Sequence, residues 1–131
     1  VYFRNPLATV SYHASGYVCL SWANVPIEDE HLRALYAHTL HALTYYGTGK
    51  LLTDQRQRQP LPAEAQRWIV EEWIPTAVRT ASYSRCAIVE SELPGGRSAA
   101  RAVGSALDSP LAFQFAYFTD TAPAAEWLIS Q

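Results

Sequence analysis

Gly49-Lys50-Leu51-Leu52-Thr53-Asp54 is a short apolar run that ends on an aspartate. A polar loop follows, Gln55-Arg56-Gln57-Arg58-Gln59-Pro60-Leu61-Pro62, and then a tryptophan-rich stretch containing Trp68 and Trp73. The pattern is a buried strand, a loop and a helix. In open α/β sheets the loop between a strand's carboxyl end and the next helix is the usual place for a ligand. The stretch therefore decides the fold class and marks where a site belongs.

Upstream of it, residues 8–13 alternate, with Val10 and Tyr12 on one face and Thr9, Ser11 and His13 on the other. Ala14-Ser15-Gly16 signals a turn, and residues 17–23 alternate again with Val18, Leu20 and Trp22 on one side. This is the signature of an antiparallel hairpin. Tyr2 and Phe3 add a short edge strand, ended by Asn5-Pro6. Pro26 is expected to open a long helix with Glu28, Asp29 and Glu30 in its first turn, where carboxylates suit the helix dipole. Leu32, Leu35, Tyr36, Leu40 and Leu43 form its apolar face, and Gly47 is its left-handed cap.

Downstream, Pro62 starts a second helix with Ile69, Val70, Trp73 and Ile74 on its apolar side, and Pro75 is expected to break or kink it. A strand is expected at 85–89, a loop at 92–96, an alanine-rich helix at 98–107 stopped by Asp108-Ser109-Pro110, a strand at 113–118, and a final helix capped by Thr121. The order is β-β-β-α-β-α-β-α-β-α. Strands that alternate with helices pair in parallel through crossovers. The expected fold is one α/β domain spanning 1–131, a single mixed sheet of five to six strands with an N-terminal antiparallel hairpin and about four helices.

Composition narrows the function. The 131 residues suffice for a core without disulfides or metal. Apolar residues make up 49% and charged residues 17%, a globular balance. Net charge is −2, so there is no basic surplus for a nucleic-acid backbone. No run approaches about 18 apolar residues, which excludes a spanning helix, and the first residues carry no secretory signal. A cytoplasmic, non-membrane protein is expected. Cys19 and Cys86, the two cysteines, lie inside apolar strands and read as buried, inert thiols.

The hairpin strand holding Trp22, the run Lys50-Leu51-Leu52-Thr53-Asp54, and the closing Phe118-Thr119-Asp120 with Ala125-Glu126-Trp127-Leu128 resemble the STAS superfamily. The nearest group is the SpoIIAA-like, or STAS/SEC14-like, set of small bacterial proteins. The resemblance spans nearly the whole chain, and its motifs are hydrophobic patterns that specify fold more than activity. Signalling members carry a phosphorylatable serine directly after the aspartate. Here Gln55 follows Asp54, and the loop to Pro62 has no serine or threonine. The resemblance therefore implies the family's functional surface, this loop and the start of the next helix, without its phospho-switch.

The candidate site residues are Asp54, Gln55, Arg56, Arg58, Trp68 and Trp22. Arginine grips carboxylate or phosphate in two-point geometry, and the second helix offers free N–H groups beside it. The competing reading is a capped, solvated loop. Trp68 and Trp73, five apart, are expected to diverge around their helix, one in the core and one facing the loop or a partner; the competing reading packs both against the sheet. His38 and His41 are spaced to share a metal but lack accompanying carboxylates, so exposed histidines are expected. Gly95-Gly96-Arg97-Ser98 is neither a P-loop nor a dinucleotide fingerprint, and reads as a turn with an N-cap. No nucleophile–base pair and no cofactor motif occur. The leading expectation is a non-enzymatic domain that binds a protein partner or a small apolar or anionic ligand near Asp54–Trp68. A small enzyme using Asp54 with Arg56 or Arg58, and a homodimeric assembly protein, are the alternatives.

Overall fold

The computed structural model describes residues 2–90 and 114–130. Within them lie six strands: β1 (Phe3–Arg4), β2 (Ala8–His13), β3 (Tyr17–Trp22), β4 (Lys50–Asp54), β5 (Arg85–Val89) and β6 (Gln114–Phe118). They form one sheet in the order β1-β2-β3-β4-β5-β6. The first three pair antiparallel and the last four run parallel. The expected mixed sheet with its N-terminal hairpin is therefore present. The loop, turn and helix expected across 92–108, and the first residue of the strand expected from 113, lie outside the described residues.

Alternation along each strand sorts the side chains onto two faces. Val10, Val18, Leu20, Trp22, Leu51, Cys86 and Ile88 share one face with the large core, which is covered by helix α1 (Asp29–Tyr46) and the tryptophan-bearing helix. Leu52, Ala87 and Val89 point the other way, onto Ala124 and Leu128 of the C-terminal helix, Thr121–Ile129. Both faces of the central strands are thus buried. This explains why β4 and β5 read as continuous apolar runs.

Helix α1 starts three residues after Pro26, with Glu28 at its N-cap and Asp29 and Glu30 in the first turn. Val25 and Ile27 are held against the core before the helix begins. Gly47 ends it in the left-handed conformation (φ 62°), its N–H on the Leu43 carbonyl at 2.9 Å. Gly49 (φ +65°) then starts the turn into β4, and a Cβ there would lie 2.4 Å from the Ser82 carbonyl oxygen. Only glycine fits that approach.

The second helix does not break at Pro75. It runs as α2 (Ala63–Trp68), a π turn (Ile69–Trp73) and α3 (Ile74–Ala81) without leaving helical backbone angles. Proline lacks an N–H, and its ring collides with the carbonyl four residues back. The wider π turn, closed by the Ile74 N–H on the Ile69 carbonyl, lies just ahead of it. The last helix, Thr121–Ile129, is α4. Its cap is Asp120, whose Oδ1 accepts the Thr121 N–H at 2.7 Å, one residue before the expected position.

Candidate functional site

The carboxyl ends of β3 and β4 bring most of the candidate residues into one neighbourhood but split them by face. Thr53 and Gln55 point to the large core, while Asp54 points to the opposite side. Asp54 meets Arg56 in a two-point ion pair, Nε–Oδ1 3.0 Å and Nη2–Oδ2 2.8 Å, and also takes the Arg56 backbone N–H at 3.3 Å. Both carboxylate oxygens are thereby engaged.

Arg58 goes the other way. It is 1% exposed, and its guanidinium carbon stands 5.3 Å from the centre of the Trp22 ring. The expected trio of Asp54, Arg56 and Arg58 is therefore not a unit. Strand alternation sends Asp54 to one face, and the turn closed by Arg58 N–H on the Gln55 carbonyl (3.1 Å) carries Arg58 to the other. Burial pushes the Arg58 pKa down to about 10, with nearby Tyr36 acting in the opposite direction. Arg58 is a core residue, not a solvated loop cation.

Trp22 is fixed by its own polar edge. Its indole N–H donates to Thr53 Oγ1 at 3.0 Å, and Gln55 Nε2 donates to the same oxygen at 3.1 Å. Tyr36 packs against the Trp22 ring at 6.1 Å and extends the aromatic cluster to Trp68 (5.9 Å) and Trp73 (4.8 Å). Trp73 is buried, and its N–H donates to the Tyr36 carbonyl at 2.8 Å.

Trp73 is in the core and Trp68 is half-buried, as expected of one inner and one outer ring, yet both rings contact Tyr36. Five residues of α-helix turn through about 500°, which leaves the first and last about 140° apart. The π turn adds a residue to the turn, and both rings come round to Tyr36 on α1. Trp68 remains half-buried, with the Arg33 guanidinium 4.8 Å over its ring. Arg33 is also held by Asp29 at 3.0 Å.

Between α1 and the second helix lies an open groove of about 290 Å³. Arg33, Ala37 and Leu40 form one wall; Trp68, Glu72, Trp73 and Thr76 form the other. The inner side of Trp68 packs on Tyr36, and the groove opens outside it. Arg33 and Glu72, which complete the groove, were not marked by any motif. Their only sequence signal is helical spacing to residues on a neighbouring helix.

The remaining candidates are structural. His38 stacks on Phe3 at 3.8 Å, and His41 Nδ1 is hydrogen-bonded by the Tyr2 hydroxyl, so both histidines tie β1 to α1. Among the described residues no group of three His, Cys, Asp or Glu is placed to hold a metal. Cys86 is buried and burial pushes its thiol up to about 12. Cys19 is half-buried, more open than expected. Burial raises its pKa and Asp54 adds to the rise, against a Ser21 hydrogen bond. Neither thiol is an activated nucleophile. No described helix is long and apolar enough to cross a membrane.

No family model matches the chain, and no curated protein or solved structure matches it.

Proposed function

We propose that this chain is a non-enzymatic STAS-like binding domain that engages a protein partner through the Trp68 groove. The observation that carries the reading is Trp68 itself. A large aromatic is pinned between Arg33 and Tyr36 at the lip of an open groove, rather than folded into the core beside it. Preset tryptophan and arginine side chains are the residue types that dominate interface energetics, because little conformational freedom is lost on contact. The groove lies directly after the β4–α2 loop, where the STAS resemblance puts the functional surface.

The chemistry nearby favours binding over catalysis. The Asp54 carboxylate is paired with Arg56, Arg58 is buried in the core, and both thiols have raised pKa values. A general acid–base site needs a titrating group within reach of a substrate proton. With Gln55 after Asp54, regulation would rest on occupancy of the groove rather than on a phosphate.

The test is native mass spectrometry of the protein purified gently from its own cells, as wild type, Trp68→Ala and Asp54→Ala. The reading expects a bound partner on wild type and Asp54→Ala, lost from Trp68→Ala. A partner that survives Trp68→Ala, or a bare monomer in all three samples, overturns it. A homodimer untouched by Trp68→Ala would favour the assembly reading.

A further inference from the structure

The groove between α1 and the second helix is lined by two charges of opposite sign, and they differ in how they are met. Arg33 has its own counter-ion. Its Nε–H donates to Asp29 Oδ2 at 3.0 Å, and its guanidinium lies 4.8 Å from the centre of the Trp68 ring. Glu72 stands on the facing wall, exposed, about one helical turn beyond Trp68. Its neighbour Glu71 pairs with Arg67 at 3.8 Å. Glu72 itself has no ion pair and no hydrogen bond among the described residues. Arg79 lies about two turns further along and is not part of the lining.

Between these charges the lining is mostly apolar. Ala37 and Leu40 face Trp68 and Trp73, and Ala37, with a single methyl group, leaves the space open. From Arg33 to Leu40 the wall runs about 10 Å, at 1.5 Å of helix per residue. The volume of about 290 Å³ is at the lower end of the range for small-molecule pockets. The groove therefore suits a large side chain and its neighbour rather than a long segment.

Docking over the groove strips water from Glu72. A carboxylate deprived of water costs free energy unless a cation replaces that water. An acidic group placed here meets repulsion, and a neutral one leaves the carboxylate unpaired, so the arrangement discriminates against both. Arg33 makes no matching demand on a partner, because Asp29 and the Trp68 face already meet its charge.

We propose that the partner received by this groove presents a bulky apolar side chain next to a lysine or arginine. The apolar group fills the space over Ala37 against Trp68, and the cation pairs with Glu72. The inference rests on the partner-binding reading of the groove and adds the chemistry of the segment that docks there. An exposed ion pair contributes little affinity by itself. Trp68 supplies most of the attraction, and Glu72 supplies the choice between partners.

The test uses three probes that share a phenyl ring and differ in charge: 2-phenylethylammonium, 2-phenylethanol and 3-phenylpropionate, at pH 7 and equal ionic strength. The readout is the Trp68 indole N–H signal in an NMR titration, identified by its loss in Trp68→Phe. The ammonium should bind about threefold tighter than the alcohol, and the carboxylate should bind weakest. In Glu72→Gln, an exposed change that leaves the core alone, the ammonium and the alcohol should bind alike. Equal binding of all three probes to wild type, a preference for 3-phenylpropionate, or an ammonium preference that survives Glu72→Gln overturns the inference while the groove stands as a docking site. A Trp68 signal indifferent to all three probes overturns both.

Discussion

At the scale of single residues, Thr53 is the hinge of the site. Its hydroxyl oxygen serves both the Trp22 indole and the Gln55 amide, deep in the core at 4% exposure. Thr53→Val keeps the shape and removes the acceptor, leaving two buried donors without a partner. Such groups cost about 1–3 kcal/mol each. Urea unfolding of Thr53→Val should therefore show a loss of at least about 2 kcal/mol with an unchanged m-value. A loss under about 0.5 kcal/mol would mean that water reaches these donors. This role was half legible in the sequence. Strand alternation put Trp22 on the apolar side of its hairpin strand, but nothing local states that Thr53 on the next strand meets it.

At the scale of elements, the two ends of the second helix carry the most information. Ser82 caps α3 in the left-handed conformation (φ 53°), with the Tyr83 N–H reaching back to Ala77 at 3.2 Å. Glycine takes that conformation without the steric penalty of a side chain. Ser82→Gly should raise stability by about 0.5–1 kcal/mol, measured by denaturant titration; a loss would show that the serine side chain supports the cap. The Gly49 side of the same junction admits no such freedom, because a Cβ would strike the Ser82 carbonyl. Gly49→Ala should cost more than 1 kcal/mol, and an unchanged melting curve would contradict the close packing of α3 on the start of β4.

The helix interior shows why sequence reading ran out. Val10, Val18, Leu20 and Trp22 were legible because alternation sets the face of a strand residue whatever its partners are. The shared contact of Trp68 and Trp73 on Tyr36 was not, because an angle of 100° per residue holds only for an unbroken α-helix. Pro75 marked a disturbance, yet proline is compatible with a break, a kink or a π turn. The backbone resolves it as a π turn, and both tryptophans line the groove beside Tyr36. Arg58 was misread for a similar reason. A polar residue in a Pro- and Gln-rich loop is ordinarily solvated, and only the tertiary position of Trp22 draws it inward.

At the scale of the whole molecule, buried weak acids set the pH response. Burial raises the pKa of Tyr17, pushes Tyr36 up to about 12, and raises Tyr83 well above its usual value. Cys86 is pushed to about 12. An acid whose folded-state pKa is raised ionises first in the unfolded chain. Its contribution is complete below the unfolded pKa and is lost as pH climbs toward the folded one. Arg58 works the opposite way, since a base with a lowered folded pKa ceases to penalise folding above about pH 10. With Cys19, whose pKa burial also raises, five groups against one give a net fall. The urea midpoint should be level from pH 7 to about 8.5 and drop between about pH 9 and 12, tracked by tyrosinate absorbance. A midpoint that rises over that range would contradict the burial of these hydroxyls.

The same view separates the surfaces available to a partner. One is the Trp68 groove between α1 and the second helix; a second is the Asp54–Arg56 pair on the opposite face; a third is the aromatic group of Tyr12, Tyr45 and Tyr46 near β1. The deciding measurement is hydrogen–deuterium exchange of the protein with the partner recovered from its own cells, compared with the protein alone. The account expects added protection in peptides covering 33–44 and 64–76, the two walls of the groove. Protection confined to 50–58, or to 2–13 with 45–46, would contradict it.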